Sequence, residues 1–184
     1  MQDKINLFDY DRTLLEKIFA DLEEPPFRAR QVLQWMYHRN VIEIDQMTDL
    51  SLELRNRLDS LACFELPIVV QDRESSDGTR KWLTKCSDGN IVEMVLIPEE
   101  NRRTLCVSSQ AGCALKCVFC ATGRQGFSRN LSASEIIGQL WLAEQLLKDK
   151  NEESFKLTNV VMMGMGEPLL NYPAVVTALR IMID

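Results

Sequence analysis

Histidine is nearly missing from this chain: His38 is the only one in 184 residues. It falls on a predicted helix and is read as an ordinary helix residue. No window comes near the roughly 18 consecutive apolar residues of a membrane span. The opening MQDKINLFDYDRTLLEK lacks the apolar core of a signal peptide, so the chain reads as cytoplasmic. Internal repeats and low-complexity tracts are absent. Positive charge is also scarce: 21 Lys and Arg face 27 Asp and Glu, a net −6 that argues against a general polyanion binder. Apolar residues at 46% and charged residues at 26% exclude a disordered chain, a collagen-like repeat and a disulfide-packed miniprotein. At about 150 residues per domain, the length suits one domain, or one domain plus a smaller one.

What is present is unevenly placed. Residues 1–100 carry a net −8 and residues 135–184 a net −3, whereas residues 101–134 hold Arg102, Arg103, Lys116, Arg124 and Arg129 with no carboxylate. The same stretch gathers Cys106, Cys113, Cys117 and Cys120, four of the six cysteines; Cys63 and Cys86 lie upstream. In a cytosolic setting such a gathering points to metal or redox chemistry rather than structural disulfides.

Apolar spacing predicts helices over residues 12–22, 27–38 and 51–62, the first interrupted by Pro25-Pro26. After Pro67 the pattern becomes short strands at 68–70, 81–84 and 91–97, divided by the turn signals Ser76-Asp77-Gly78 and Ser87-Asp88-Gly89. From Thr104 the order is strand, Cys/Gly-rich loop, helix, strand, helix. The long helix starts at a Ser132/Glu135 capping box, the apolar run Leu157–Met163 reads as a parallel strand buried on both faces, and the last helix starts near Pro173. The fold class is therefore an α+β N-terminal part, a small helical domain plus short antiparallel strands, followed by the start of an α/β barrel or sheet. The divisions fall at 1–64, 65–100 and 101–184.

Cys113, Cys117 and Cys120 are spaced C-x3-C-x2-C. Three thiolates on one loop each bind one iron of a 4Fe–4S cluster and leave the fourth iron open to a small molecule. Structural zinc needs a fourth ligand, and Cys106, seven residues upstream in a strand, is the one candidate. Buried structural thiols are a third reading. Gly164-Met165-Gly166-Glu167-Pro168 ends the second barrel strand, with Glu167 lying 47 residues after Cys120. Glycines there permit close approach to a ligand, and a carboxylate pairs with an ammonium.

The cysteine spacing, with Phe119 before the last thiol, resembles the radical S-adenosylmethionine (SAM) enzymes. Gly166, Glu167 and Pro168 resemble their SAM-amino-group motif. The segments Pro26–Ala29 with Gln31 and Trp35, Asp77–Lys81, Val92–Pro98 and Cys106–Cys113, in that order, are similar to the dual-specificity RNA adenine-C2 methyltransferases, the RlmN-like enzymes. The resemblance implies a partial barrel of six βα units, a 4Fe–4S cluster and SAM as cofactors, and 23S rRNA and tRNA as partners. It also implies an electron donor such as flavodoxin, no membrane, and a monomer. In that chemistry a protein cysteine is methylated, its methyl is activated by hydrogen abstraction, and it is joined to adenine C2 in a transient protein–RNA crosslink. Glu93 corresponds to the acceptor of the C2 proton, and Cys106 to the cysteine that releases the product by forming a disulfide. On the residues alone, Glu93 reads equally as a solvent-facing strand residue and Cys106 as a core thiol. The basic side chains of 101–134 are candidates for phosphate contacts, and an unstacked adenine suits RNA loops.

The same resemblance implies further βα units and a late methyl-carrying cysteine without counterpart among these residues. The expectation is incomplete SAM binding, no methyl transfer by this chain alone, an open parallel edge and an exposed apolar face. A relative acting at adenine C8 and a non-catalytic metal- and RNA-binding fragment are the alternatives.

Overall fold

The structure is a computed structural model and describes residues 4–148 and 156–184. The N-terminal part is helical. After β1 (Ile5–Asn6) and a 3-10 turn come α1 (Arg12–Asp21), α2 (Pro26–Leu33), α3 (Leu52–Leu61) and β2 (Ala62–Cys63), which pairs in parallel with β1. Each helix starts where its chemistry dictates. The Asp11 carboxylate accepts the Leu14 N–H at 2.9 Å, the Ser51 hydroxyl accepts the Leu54 N–H at 3.2 Å, and Pro26 occupies the first turn of α2. The predicted helix over 27–38 is split by geometry. Its second half, Gln34–His38, is a π turn in which the Arg39 N–H reaches Gln34 O at 3.0 Å. That widening carries the carbonyl of Met36 to the indole N–H of Trp141, 3.0 Å away on a distant helix.

Five strands form one sheet in the order β3 (Ile68–Glu74), β4 (Arg80–Lys85), β5 (Ile91–Pro98), β6 (Arg103–Cys106), β9 (Asn159–Val161). The first four are antiparallel neighbours, and β9 joins β6 in parallel through Thr104↔Asn159 and Cys106↔Val161. The antiparallel meander and the parallel strand pair thus share one sheet. Both expected turns form: Gly78 and Gly89 take φ of +82° and +88°, and the Asp77 and Asp88 carboxylates accept the N–H two residues on. Between β6 and β9 the chain makes the hairpin β7 (Gln110–Gly112)/β8 (Phe127–Asn130), the short α4 (Ala121–Gln125) inside it, and α5 (Ala133–Lys148). A 3-10 turn at Pro168–Asn171 leads into α6 (Tyr172–Ile183). The capping box holds: Ser132 N–H donates to Glu135 at 2.9 Å and Glu135 N–H to the Ser132 hydroxyl at 3.2 Å.

β9 departs from expectation. It pairs over three residues rather than seven, because β6 ends at Cys106 and the Val107 carbonyl turns to accept the Gly164 N–H at 3.0 Å. Nor is it buried on both faces. Val160 and Met162 pack toward Trp82, Leu105 and α5, while Met163 is 80% exposed. β9 is the edge of the described sheet, and only one side is covered. Exposed Leu169, Leu170 and Tyr172 accompany it.

Strand alternation sorts the sheet into two faces. Trp82, Met94, Leu96, Leu105 and Val107 are buried against Ala143 and Leu147 of α5. The opposite face carries Lys81 and Leu83 of β4, Glu93 and Val95 of β5, Cys106 of β6 and Val161 of β9, none fully buried. The helical part has its own core around Phe8, Leu15, Phe19, Val32, Met36 and Leu54, and Ile137 of α5 belongs to it.

Candidate active site

Every predicted site residue sits on the open sheet face or on the two loops that follow β6 and β9. Glu93 and Cys106 come from neighbouring strands, two residues apart in register, since Cys106 is paired with Val95. The Glu93 carboxylate is bonded to the Lys81 ammonium at 2.9 Å. Burial pushes the Cys106 thiol up, the Glu93 charge pushes it the same way, and the Met163 N–H hydrogen bond to the sulfur opposes them. All six cysteines are free thiols.

The glycine turn is fastened to the residues after β6. Met165 O accepts Ser109 N–H at 2.8 Å, and the Ser108 hydroxyl accepts Met165 N–H at 2.8 Å while donating to Glu93 O at 2.6 Å. The buried Gln110 side chain accepts the Glu167 N–H at 3.0 Å and donates to Asn130 at 2.8 Å, linking the turn to the cysteine hairpin. This changes the reason for the glycines. A Cβ on Gly164 would lie 2.7 Å from the Ser108 hydroxyl, and one on Gly166 (φ +98°) 2.5 Å from Gln110 Cβ. The close approach is to the chain's own strand extension. The Glu167 carboxylate caps the 3-10 turn by accepting Leu169 N–H at 3.1 Å, and Pro168 is the first residue of that turn.

The cysteine loop is suspended between β7 and β8. Gly112 (φ +77°) lies so close to Gly126 that only a hydrogen fits, and Cys113 N–H donates to Gly126 O at 2.9 Å. Within the loop Cys120 N–H donates to Cys117 O at 3.1 Å, and a Cβ on Gly123 would meet Leu115 O at 3.0 Å. Cys113 is buried; Cys117 and Cys120 are half-buried. The N–H groups of Gly123 and then Thr122 hold the Cys120 thiol below its ordinary value, favouring the thiolate that binds metal. Among the described residues no three Cys, His, Asp or Glu side chains close around a point where they would hold a single ion. Cys106 faces Glu93 instead, and His38 stands in the helical part near Arg12 and Arg30. Three thiols on a carboxylate-free loop suit an iron–sulfur cluster, one iron per thiolate.

The basic stretch is less free in space than in sequence. Arg102 pairs with Glu99 at 2.7 Å, and Arg129 is gripped by Asp88 and by both oxygens of Glu135, at 2.7 and 2.8 Å. Arg129 thereby fixes the β4–β5 turn, β8 and the start of α5 together, which weakens its reading as a phosphate contact. Burial raises the Glu135 carboxyl, but the Arg129 and Ser132 hydrogen bonds outweigh it and hold the group below its ordinary 4.5. A depressed carboxyl contributes stability above its unfolded value and loses it as pH falls through its folded one. The urea midpoint should therefore fall as pH drops below about 4.5, and Arg129→Met should flatten that fall.

Ser108, Gln110, Gln139 and Asn171 escaped sequence reasoning. Gln139 exchanges two hydrogen bonds with the Ser108 backbone, at 2.8 and 2.9 Å, and Asn171 donates to Ser109 O and Leu131 O at 2.8 Å each. The signal for Ser108 and Gln110 was the polar word Ser108-Ser109-Gln110 following an apolar strand; Gln139 and Asn171 carried none.

Two comparisons with known proteins bear on this arrangement. The family profile of the ribosomal RNA large subunit methyltransferase N-terminal domain matches residues 5–64. The crystal structure of a radical SAM methyltransferase from Sphaerobacter thermophilus is 39% identical with a TM-score of 0.84, over 98% of this chain and 52% of that one. The chain thus spans about half the length of that protein. With an N-terminal part that matches this family model and a length folded as in such an enzyme, the chain is similar to the RlmN-like proteins.

Proposed function

We propose that this protein serves in radical SAM methylation of adenine C2 in 23S rRNA and tRNA. The observation that carries the reading is the sheet face on which Glu93 and Cys106 stand in adjoining strands, flanked by the cysteine hairpin and the glycine turn. Cys113, Cys117 and Cys120 are the residues to hold a 4Fe–4S cluster, and Gly166, Glu167 and Pro168 those to receive the methionyl end of SAM. When bound, the cluster supplies the electron that lets SAM react at an unactivated C–H bond.

The chain's own residues have simpler tasks. The Glu167 carboxylate, bonded only through one oxygen to Leu169 N–H among the described contacts, offers the other to an ammonium. Glu93 accepts the proton leaving adenine C2, and its backbone is anchored by Ser108. Cys106 supplies the thiol that releases the product. The helical part contributes RNA contacts. The protein works as a cytoplasmic monomer and draws electrons from a donor of the flavodoxin kind; no helix among the described residues is long and apolar enough to cross a membrane.

Nucleoside mass spectrometry tests this. RNA treated anaerobically with the iron–sulfur-loaded product of the complete gene, SAM and a reductant should yield 2-methyladenosine. 8-Methyladenosine would transfer the reading to the C8 relatives, and unmodified RNA despite a loaded cluster would refute it.

A further inference from the structure

The sheet face that carries Glu93 holds a second charged group to which no role has been given. Lys81 lies on β4, one strand away and offset from Glu93 by two residues in register, because Leu83 is the direct partner of Glu93. Diagonal neighbours of this kind are within reach of a long side chain, and the ammonium meets the carboxylate at 2.9 Å. Glu93 also faces β6 on its other side, where Cys106 is paired with Val95. The carboxylate therefore stands between a cation and a thiol that come from the two strands flanking its own. The other titratable groups on this face of the meander are Arg73 of β3, opposite Lys81, and Lys85 at the end of β4, opposite Ile91.

We propose that Lys81, Glu93 and Cys106 form one coupled unit, in which Lys81 is a positioning residue that holds the Glu93 carboxylate and the protonation state of Glu93 sets the reactivity of Cys106. The proposal rests on the roles given above to Glu93 and Cys106. The thiol is held up chiefly by burial; the Met163 N–H bond to the sulfur opposes this, and the Glu93 charge adds a smaller push in the same direction as burial. The negative charge of Glu93 on the adjoining strand disfavours a second negative charge on Cys106 and so lowers its share of reactive thiolate. A proton taken up by Glu93 removes the neighbouring negative charge, and the Cys106 proton then leaves to solvent more readily. Lys81 balances the same charge and keeps the carboxylate from turning away. The consequence is an order of events: the proton acceptor is filled first, and the releasing thiol is activated second.

The test needs no methyl transfer. Cys106 alkylation by iodoacetamide is followed between pH 6 and 10 by peptide mass spectrometry on the 184-residue chain, in the native protein, E93Q, K81M, K81R and the K81M/E93Q double variant. E93Q is expected to alkylate roughly 3- to 10-fold faster at pH 7.5, the change that loss of one nearby charge produces in a thiolate fraction. K81M should slow alkylation, K81R should restore the native profile, and K81M should have little further effect once Glu93 is replaced. Equal profiles in all five proteins would overturn the proposal, as would a Lys81 effect of the same size with and without Glu93. Circular dichroism identifies any variant that has lost its fold, and K81M, which alters only a half-exposed ion pair, reads the coupling independently of E93Q. A null alkylation result alongside 2-methyladenosine formation sinks the coupling alone. Coupling without methylated RNA sinks the catalytic reading alone.

Discussion

Alanine at position 112 is expected to release the cysteine loop. Gly112 has φ +77°, a conformation that costs a residue with a side chain about 1–2 kcal/mol. Its added Cβ would also lie 2.9 Å from the Gly126 carbonyl carbon and 3.2 Å from Phe127 Cα, both backbone atoms that have no side-chain freedom with which to yield. The adjoining Cys113 N–H to Gly126 O bond, worth about 1 kcal/mol, would go with it. The two quantified terms amount to roughly 2–3 kcal/mol, with the backbone clash in addition, concentrated on the hairpin that carries Cys113, Cys117 and Cys120. Gly112→Ala should therefore lose most of its iron on anaerobic reconstitution and show protease cleavage between residues 113 and 126. Gly89→Ala is the control. It shares the positive φ, at +88°, but its nearest neighbour is the flexible end of Lys85 at 4.0 Å, so it should keep its iron. Equal iron in the two variants would remove the packing explanation of Gly112.

The second large effect is expected at Phe8. Its ring is fully buried and makes edge contacts with Tyr37 at 5.7 Å, Phe64 at 6.1 Å and Trp141 at 6.2 Å. Three of these aromatics belong to the N-terminal part, and the fourth belongs to α5. Asp9 follows Phe8 and accepts the Ser134 N–H of α5 at 2.7 Å, so the junction is polar as well as apolar. Arg180 of α6 reaches Asp11 at 3.3 Å from the other side. Phe8→Ala removes a ring from this junction, and such truncations cost about 3–5 kcal/mol. For a chain of this size that lowers Tm by roughly 10 °C. The native protein is expected to unfold in a single thermal transition, and the variant's should lose cooperativity, because the helical part and α5 share this core. An unchanged Tm would show that the two parts are not held together by Phe8.

Much of this architecture was readable from local pattern. The capping box at Ser132 and the turns at Gly78 and Gly89 depend on a few consecutive residues, and they form as the spacing implies. The cysteine loop was likewise declared by spacing alone. The period-two alternation of Val92, Met94 and Leu96 puts Glu93 on the opposite face of its strand. What escaped was long-range. The β7/β8 hairpin pairs Gln110 with Asn130 across a loop whose cysteines gave no strand pattern. The π turn at Gln34–His38 adds one residue to a helical period that apolar spacing cannot register. The clamp on Arg129 joins Asp88 and Glu135, 41 and 6 residues away, so a segment without carboxylates proved well supplied with them. Gly164 and Gly166 were legible as required glycines, but the backbone that requires them is Val107–Gln110, which only the parallel pairing of β6 and β9 brings near.

The central claim is that Cys113, Cys117 and Cys120 hold an iron–sulfur cluster rather than a single structural ion. Anaerobic reconstitution of the chain with iron and sulfide, followed by metal analysis and EPR of the reduced protein, addresses it directly. The account predicts about four irons and four sulfides per chain with a reduced-cluster signal, both lost in Cys117→Ala and retained in Cys63→Ala. One tightly bound zinc per chain, with no acid-labile sulfide and no EPR signal, would contradict it.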